Sequence, residues 1–482
     1  MAEKQSFPPI SWLWQDYRRA AAWYSGEPNR IAKEGGAPAG SFWSSDERIR
    51  IHVPLAADIS AMSANMIFAE SPVIGCDDKK TAERIEEITK KAGIYATFLQ
   101  AAELASAYGG VFLKWSWDKS DGFPRLTAVP ADAGLPIWAG GKIVEIRLWN
   151  TVKEGESDGA IWRLMESYTP DGHIRSRLYR GDAANLGDEH ALKSLTETRK
   201  INPDAYCGVD AMLAYYVPNI LPNRKKPHLR FGRSDYEGLY GMFDALDEAY
   251  SALQRETRMT KTTVIVPAEY LRRREALFDG AKAHEWVYSN NTGAFTALDI
   301  DSDRSSSPIT VINPEMRSES RIKACDDIIR RVLSMAGYAP QSAGLDIEGS
   351  AESGTALNVR ERKSIRTTEM KKTHWWHAVN DLVREGLKLD AAVFRSGVKT
   401  DAQISIELPT EAQPDITQLA QVVEQLERAG AVSIETKVDI LHPDWEGKKR
   451  AEEVERIRKQ NGMAAQAEMN RLLARMQEDD AE

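Results

Sequence analysis

A chain of 482 residues, 42% hydrophobic and 28% charged, has the length for roughly two or three domains and a large buried core, and its composition reads as soluble and globular rather than disordered. Its 63 basic and 72 acidic residues leave a net charge of −9. That balance argues against a protein that grips nucleic acid over a broad basic face, but not against one that nucleic acid slides past.

Residues 8–25 pattern as a short amphipathic helix closed by Gly26, and residues 29–48, rich in Gly, Ser and Ala, as loop. A helix from about residue 56 to 69 is followed by Pro72 and a short strand to Cys76. Residues 79–92, with Lys79, Lys80, Lys90 and Lys91 at the two ends, predict an exposed helix, and Tyr95–Tyr108 a more apolar one that Gly109-Gly110 ends. There the pattern changes to alternation. Residues 111–117 predict a strand, and further strands are expected at 125–129, 143–149, 160–168 and 173–180, with Thr169-Pro170-Asp171-Gly172 as a turn. Residues 1–232 therefore read as α+β, helices first and a meander after.

Residues 233–390 carry two long helical patterns around a β-rich insert, then a Gly/Ser-rich loop and a third helix. The first helix opens on Ser234-Asp235-Tyr236-Glu237, a capping-box sequence, and continues through Leu239, Tyr240, Phe243, Leu246, Tyr250 and Leu253. Asp235, Asp244, Asp247 and Glu248 come early and Arg255, Arg258 and Lys261 late, an order that suits the helix dipole. The insert, 262–312, holds a strand at Thr262–Pro267, a charged stretch at 270–278, the turn Asn290-Asn291-Thr292-Gly293 and a polar run at 299–307. The second helix opens at Asn313-Pro314-Glu315, Asn as cap and Pro at the first helical position, and continues through Ile322, Cys325, Ile328, Ile329, Val332 and Leu333. The third starts at Ser353 and meets no proline or glycine from Thr355 to Glu385. A strand at Gln403–Leu408 follows, then helices at about 415–429, 433–441 with Ser433 as cap, and 446–478, before the acidic end Glu478-Asp479-Asp480-Ala481-Glu482.

The signatures of catalysis are missing. Gly447-Lys448-Lys449 lacks the upstream glycine and the hydroxyl residue of a phosphate loop, and there is neither an HExxH nor a paired CxxC. His374 and His377 stand at i, i+3 in the third helix without a third ligand, and read as a polar stripe beside the packing face of Trp375-Trp376. Asp299, Asp301 and Asp303 lack the glycine and terminal glutamate of a calcium loop. No catalytic residue, metal or cofactor is expected. Arg272-Arg273-Arg274 is a basic cluster, readable as a solvated helix face or as a partner-docking patch. Cys76, Cys207 and Cys325, far apart and odd in number, read as buried thiols in a reducing compartment. No secretory leader and no membrane-length apolar run are read, so a cytoplasmic protein, or one assembled into something there, is expected.

The order of elements carries a resemblance. Val217-Pro218-Asn219, then Gly232-Arg233-Ser234-Asp235-Tyr236-Glu237 before a long helix, resembles the portal proteins of tailed bacteriophages, most closely those of long, non-contractile-tailed phages. So do Gly337-Tyr338-Ala339-Pro340, Gly344-Leu345 and Glu352-Ser353-Gly354-Thr355-Ala356-Leu357 between two helices, and Gly430-Ala431-Val432-Ser433-Ile434-Glu435-Thr436 near the end. The resemblance spans essentially the whole chain.

It implies an α+β portal fold: a wing in 1–232, stem helices in 233–261 and 313–337, a β-containing clip in 262–312, a tunnel loop in 338–352, a long helix and wing strand in 353–410, and a helical crown and tail in 411–482. It further implies a homo-oligomeric, dodecameric ring at one capsid vertex of the virion, assembled in the host cytoplasm without a membrane. Double-stranded DNA would pass through it during packaging and ejection. Terminase, head-completion or adaptor proteins, and major capsid and scaffold proteins would be its partners. The tunnel-loop residues toward DNA would be Gln341, Ser342, Asp346, Ile347, Glu348 and Glu352, and clip docking would fall to Arg272, Arg273, Arg274, Trp286 and Tyr288. Two other classes stay open at this point: a metal-dependent nucleic-acid-processing enzyme, and a monomeric capsid adaptor or scaffold.

Overall fold

The computed structural model describes residues 6–36, 41–44, 50–155, 159–259, 263–267, 294–298, 310–312, 318–345, 354–408, 416–430, 432–442, 445 and 447–462. They form two compact units, one of residues 1–350 with 359–409, the other of 351–358 with 410–482. The fold class is α+β.

In the larger unit the chain opens with helices α1 (Ser11–Ser25), α2 (Pro28–Glu34) and α3 (Leu55–Ile67), strand β1 (Val73–Cys76), and helices α4 (Lys79–Lys91) and α5 (Ile94–Tyr108). Gly26, at φ 67°, closes α1, as its position after the last apolar residue predicts. Helix α2 overlaps the stretch 29–48 read as loop. Its signal was Pro28 in the first turn, outweighed by the surrounding small residues.

Strands β2 (Gly110–Ser116), β3 (Arg125–Pro130), β4 (Gly134–Ala139), β5 (Lys142–Glu154), β6 (Ile161–Tyr168), β7 (His173–Gly181), β8 (Asp188–His190), β9 (Asp204–Tyr206) and β10 (Ala214–Pro218) follow. They build two antiparallel sheets, ordered β10-β2-β3 and β4-β5-β6-β7-β8, with β9 also on β7. Strand β4 was not read from the sequence because Pro136 interrupts it. Gly140-Gly141, both at positive φ (56° and 83°), form the two-residue turn that pairs it with β5. The meander is thus longer than expected, and β10 leaves it to pair with β2.

The central elements are α6 (Tyr240–Met259), strands β11 (Thr263–Pro267), β12 (Ala294–Leu298) and β13 (Thr310–Ile312), α7 (Ser318–Ala336), the 41-residue α8 (Gly354–Phe394) and β14 (Ile404–Glu407). The insert between α6 and α7 forms a three-stranded sheet in the order β12-β11-β13, and β14 pairs antiparallel with β1. The cap read at Asn313 lies outside the described residues.

The start of α6 corrects the sequence reading. Ser234 and Glu237 do not form a capping box: the Ser234 hydroxyl donates to the Ser106 carbonyl at 3.1 Å, Gly238 turns the chain at φ 85°, and the helix begins at Tyr240. Asp244 and Asp247 therefore lie beyond the first turn and are buried rather than arrayed for the helix dipole. Cys207 and Cys325 are buried as expected, but Cys76 is partly exposed because β1 is paired on one side only, with β14.

The two largest apolar clusters of this unit join its helices to its sheet and to one another. Phe68 just after α3, Phe98 of α5 and Trp375 of α8 meet ring to ring at 5.0–6.4 Å, over Val111, Phe112 and Leu113 of β2. Trp23, Trp43, Tyr236 and Phe243 pack with Cys325, Val332 and Leu333 of α7, which joins α6 and α7 to the N-terminal helices. Full burial of side chains this size contributes the dominant stabilising term.

The smaller unit contains α9 (Ile416–Arg428), α10 (Ile434–Leu441) and a helix over 447–462. Gly430 at φ 64° turns the chain after α9, and Ser433 accepts the Thr436 N–H at 3.3 Å, the cap its sequence predicts. Val423, Val438 and Val454 are buried, and ion pairs Lys437–Glu427 (2.6 Å) and Arg450–Asp439 (3.3 Å) lie outside them. Among the described residues no helix is long and apolar enough to cross a membrane, and no three His, Cys, Asp or Glu side chains cluster to hold a metal.

Candidate functional site

The loop read as facing a channel begins where α7 stops. Gly337, at φ 99°, ends the helix: its N–H donates to the Ser334 carbonyl (3.2 Å) and the Tyr338 N–H to that of Leu333 (2.9 Å), the paired bonds of a Schellman motif. Ala339 leads into a short 3-10 turn, Pro340–Ala343, and Leu345 N–H closes back on the Pro340 carbonyl at 3.2 Å.

This descent rests on one face of α8. The Ser364 hydroxyl accepts the Ala339 N–H at 2.7 Å and shares a hydrogen with the Ser342 hydroxyl at 2.9 Å. Thr367 donates to the Gly337 carbonyl at 2.7 Å, and Lys363 donates to the Ser334 hydroxyl at 2.9 Å. Positions 364, 367 and 371 follow the i, i+3, i+7 spacing of one helix face.

Lys371 is the deepest of them. Its ammonium donates to Asp235 Oδ2 at 2.5 Å, to the Ser63 hydroxyl at 2.7 Å and to the Tyr338 hydroxyl at 2.8 Å, and the two charged side chains are 1% and 0% exposed. Asp235 also accepts from Ser106 (2.6 Å), Tyr338 (2.9 Å) and Asn219 Nδ2 (2.8 Å). The Asp235–Lys371 pair thus ties together α3, α5, the two ends of segment 219–235, the foot of the loop, and α8.

Burial by itself would raise the Asp235 pKa. The Lys371 charge and the donors around it outweigh burial and hold the carboxyl below the usual carboxylate range. Burial pulls the Lys371 ammonium below an ordinary lysine, against the Asp235 charge. Burial, then the Asp235 charge, pushes the Tyr338 phenol well up, so it serves as a neutral donor.

Glycine makes the knot possible. A Cβ on Gly232 would stand 2.0 Å from the Gly109 carbonyl oxygen, which accepts the Asn219 N–H at 3.0 Å. Only this bare crossing brings Asp235 down to Ser106.

A second polar face, on α6, uses the same spacing. Asp244 accepts the Phe42 and Trp43 N–H groups at 3.3 and 3.2 Å. Asp247 accepts Trp43 Nε1–H at 2.9 Å and Val53 N–H at 2.8 Å, and lies 2.8 Å from His52 Nδ1. Ser251 accepts the Ile51 N–H at 2.9 Å.

Of the residues expected to face a channel, Gln341 and Ser342 lie in the 3-10 turn, half-buried, with Ser342 anchored to Ser364. Asp346, Ile347, Glu348 and Glu352 lie outside the described residues, as do Arg272, Arg273, Arg274, Trp286 and Tyr288 of the expected docking patch. The anchoring residues Asp235, Ser364, Thr367 and Lys371 were not read from the sequence. One signal was there: Lys371 stands in line with the apolar positions Trp375, Ala378 and Leu382, and a cation on a buried stripe requires a buried partner.

No curated protein sequence matches the chain. Among solved structures it is similar to a chain of the virion of a native gene transfer agent particle, at 12% identity and a TM-score of 0.44, covering 88% of this chain and 92% of that one. It is similar too to a chain in the neck of an empty gene transfer agent particle computed with C6 symmetry, at 12% identity and a TM-score of 0.45, covering 81% and 90%. The family described as phage portal protein, SPP1 Gp6-like, matches residues 14–467. A match over nearly the full length settles membership: the chain belongs to the SPP1 Gp6-like family of phage portal proteins, structural components of the virion's portal vertex.

Proposed function

We propose that copies of this chain form a ring around a central channel, through which double-stranded DNA enters the capsid during packaging and leaves on ejection. The observation that carries the reading is the portal-family match over residues 14–467. In this reading residues 1–232 are most of the wing, α6 and α7 the stem, 262–312 the clip, 338–352 the tunnel loop, 353–410 the long helix and returning strand, and 411–482 the crown and tail. The helix–sheet–helix order of α6, β11–β13 and α7 supports it, as does the length of α8, about 60 Å at the α-helical rise. The anchoring of 337–342 along α8 supports a loop braced against force. The proposed ring is a dodecamer, with terminase, head-completion, capsid and scaffold proteins docking on it.

Asp346, Glu348 and Glu352, with no lysine or arginine in 338–352, would repeat around the ring as an acidic collar that repels phosphates and keeps DNA mobile. Genome packaging tests both levels of the reading. Particles assembled without the chain should hold no DNA, and filled ones would overturn the conduit. Particles carrying Asp346→Lys with Glu348→Lys should fill slowly or stall, and an unchanged rate at low salt would remove the collar.

The clip would dock partners through Arg272, Arg273 and Arg274, with Trp286 and Tyr288 beside them. Reversing the three charges should abolish adaptor or terminase binding in a pull-down while the ring persists. Normal capture of both would make the cluster solvated surface.

A further inference from the structure

A cavity of about 270 Å³ opens between α1 and the segments before α6, away from the loop just described. Three guanidiniums, those of Arg19, Arg224 and Arg233, line it, and none of them has a hydrogen bond or ion pair among the described residues. The Nε atoms of Arg19 and Arg233 are fully shielded from water and still lack an acceptor. Opposite them is the carboxyl of Glu237, whose Oε2 is likewise buried without a donor. The other charged pair on the wall, Lys225 with Asp16, is mutually satisfied.

Leaving such groups unmet costs stability, and buried groups of this kind ordinarily find a partner, protein or not. Burial, then repulsion from Arg224, pushes the Arg233 pKa down, and burial pushes that of Glu237 up. Like charges have therefore been gathered with too few counter-charges. Three guanidiniums against one carboxylate leave an excess of two positive charges. The ring of Tyr240, 5.5 Å beneath the Arg19 guanidinium, holds that fork in place.

We propose that this cavity is a binding site for a dianionic phosphate group, gripped by Arg233 and Arg19 inside and by Arg224 at the rim. Guanidinium forks match the oxygens of a phosphate, and a dianion cancels the surplus charge. A bound phosphate would fix α1 against the segment that carries Asp235, so occupancy would stiffen the foot of α6. The inference rests on these side chains and not on the conduit reading.

The test is calorimetric titration of the full-length chain with inorganic phosphate at pH 7.5 and constant ionic strength, repeated for Arg233→Gln and for Arg224→Gln, whose side chain is exposed. Saturable binding is expected for the wild-type protein, with Kd raised at least tenfold in each variant and a thermal shift that sodium chloride does not reproduce. No heat beyond that of chloride, or equal Kd values in all three proteins, would overturn it. A short DNA duplex, whose phosphates are monoanionic diesters, should not compete; displacement of phosphate by the duplex would show instead a nucleic-acid surface and reject the dianion site.

Discussion

Replacing Lys371 with methionine should destabilise the larger unit by about 3–5 kcal/mol, because it leaves the Asp235 carboxylate buried without its counter-charge. Asp235→Asn should cost a similar amount by stranding the ammonium. Combined, the two changes should cost much less than their sum, since no uncompensated charge then remains. The signature that a generic packing defect would lack is a reversal of pH dependence.

In the wild-type protein the folded Asp235 has a lowered pKa, so the unfolded chain binds the proton more tightly. Its stabilisation is complete above the ordinary carboxylate pKa and fades as pH falls through the folded value. Without Lys371, burial dominates and the folded pKa lies above the unfolded one. Stability at this position is then greatest in acid and is lost as pH rises past the unfolded value. Chemical denaturation followed by tryptophan fluorescence between pH 3 and 8 measures both effects. Additive costs, or the same pH trend in wild type and Lys371→Met, would show that the pair is not coupled.

Removing the Asp247 carboxylate should have the second largest effect. Asp247→Ala takes the acceptor from Trp43 Nε1, Val53 N and His52 Nδ1 together. At about 1–3 kcal/mol for each buried donor left without a partner, the loss should be about 3 kcal/mol or more. The damage should be concentrated where residues 42–53 lie along α6. Hydrogen exchange at the Val53 amide should speed up by about two orders of magnitude or more, while amides of β6 and β7 stay protected. If Val53 exchanges at its wild-type rate, the carboxylate is not what holds that segment.

These two faces also mark where reading from sequence alone stops. Apolar periodicity located α3, α4, α5, α7 and α8, and alternation located β2, β3, β5, β6 and β7, because each element buries one face and its pattern is local. Asp235, Asp244 and Asp247 were misread for the opposite reason. In sequence they look like ordinary acids near a helix start, and their partners stand 136 residues away at Lys371 and about 200 residues away at Phe42 and Trp43. The false capping box at Ser234 has the same origin. Ser234-Asp235-Tyr236-Glu237 satisfies the local rule, but a tertiary hydrogen bond to Ser106 and the left-handed turn at Gly238 override it. The loop at 338–352 was placed by the order of elements around it, whereas the ladder of Ser364, Thr367 and Lys371 beneath it appears only once α8 lies alongside.

The same distinction applies to assembly. Within one copy α7 leaves Ile322 and Met335 exposed, and α8 leaves Met370 and Trp376 exposed, all on elements that the ring reading sets beside a neighbour. The mass of the purified chain in solution, by multi-angle light scattering with the same sample viewed in negative stain, tests that reading most directly. Annular particles about an order of magnitude heavier than the 53.8 kDa chain are expected. A folded protein that keeps the mass of a single chain at high concentration, with no annulus in the micrographs, would contradict it.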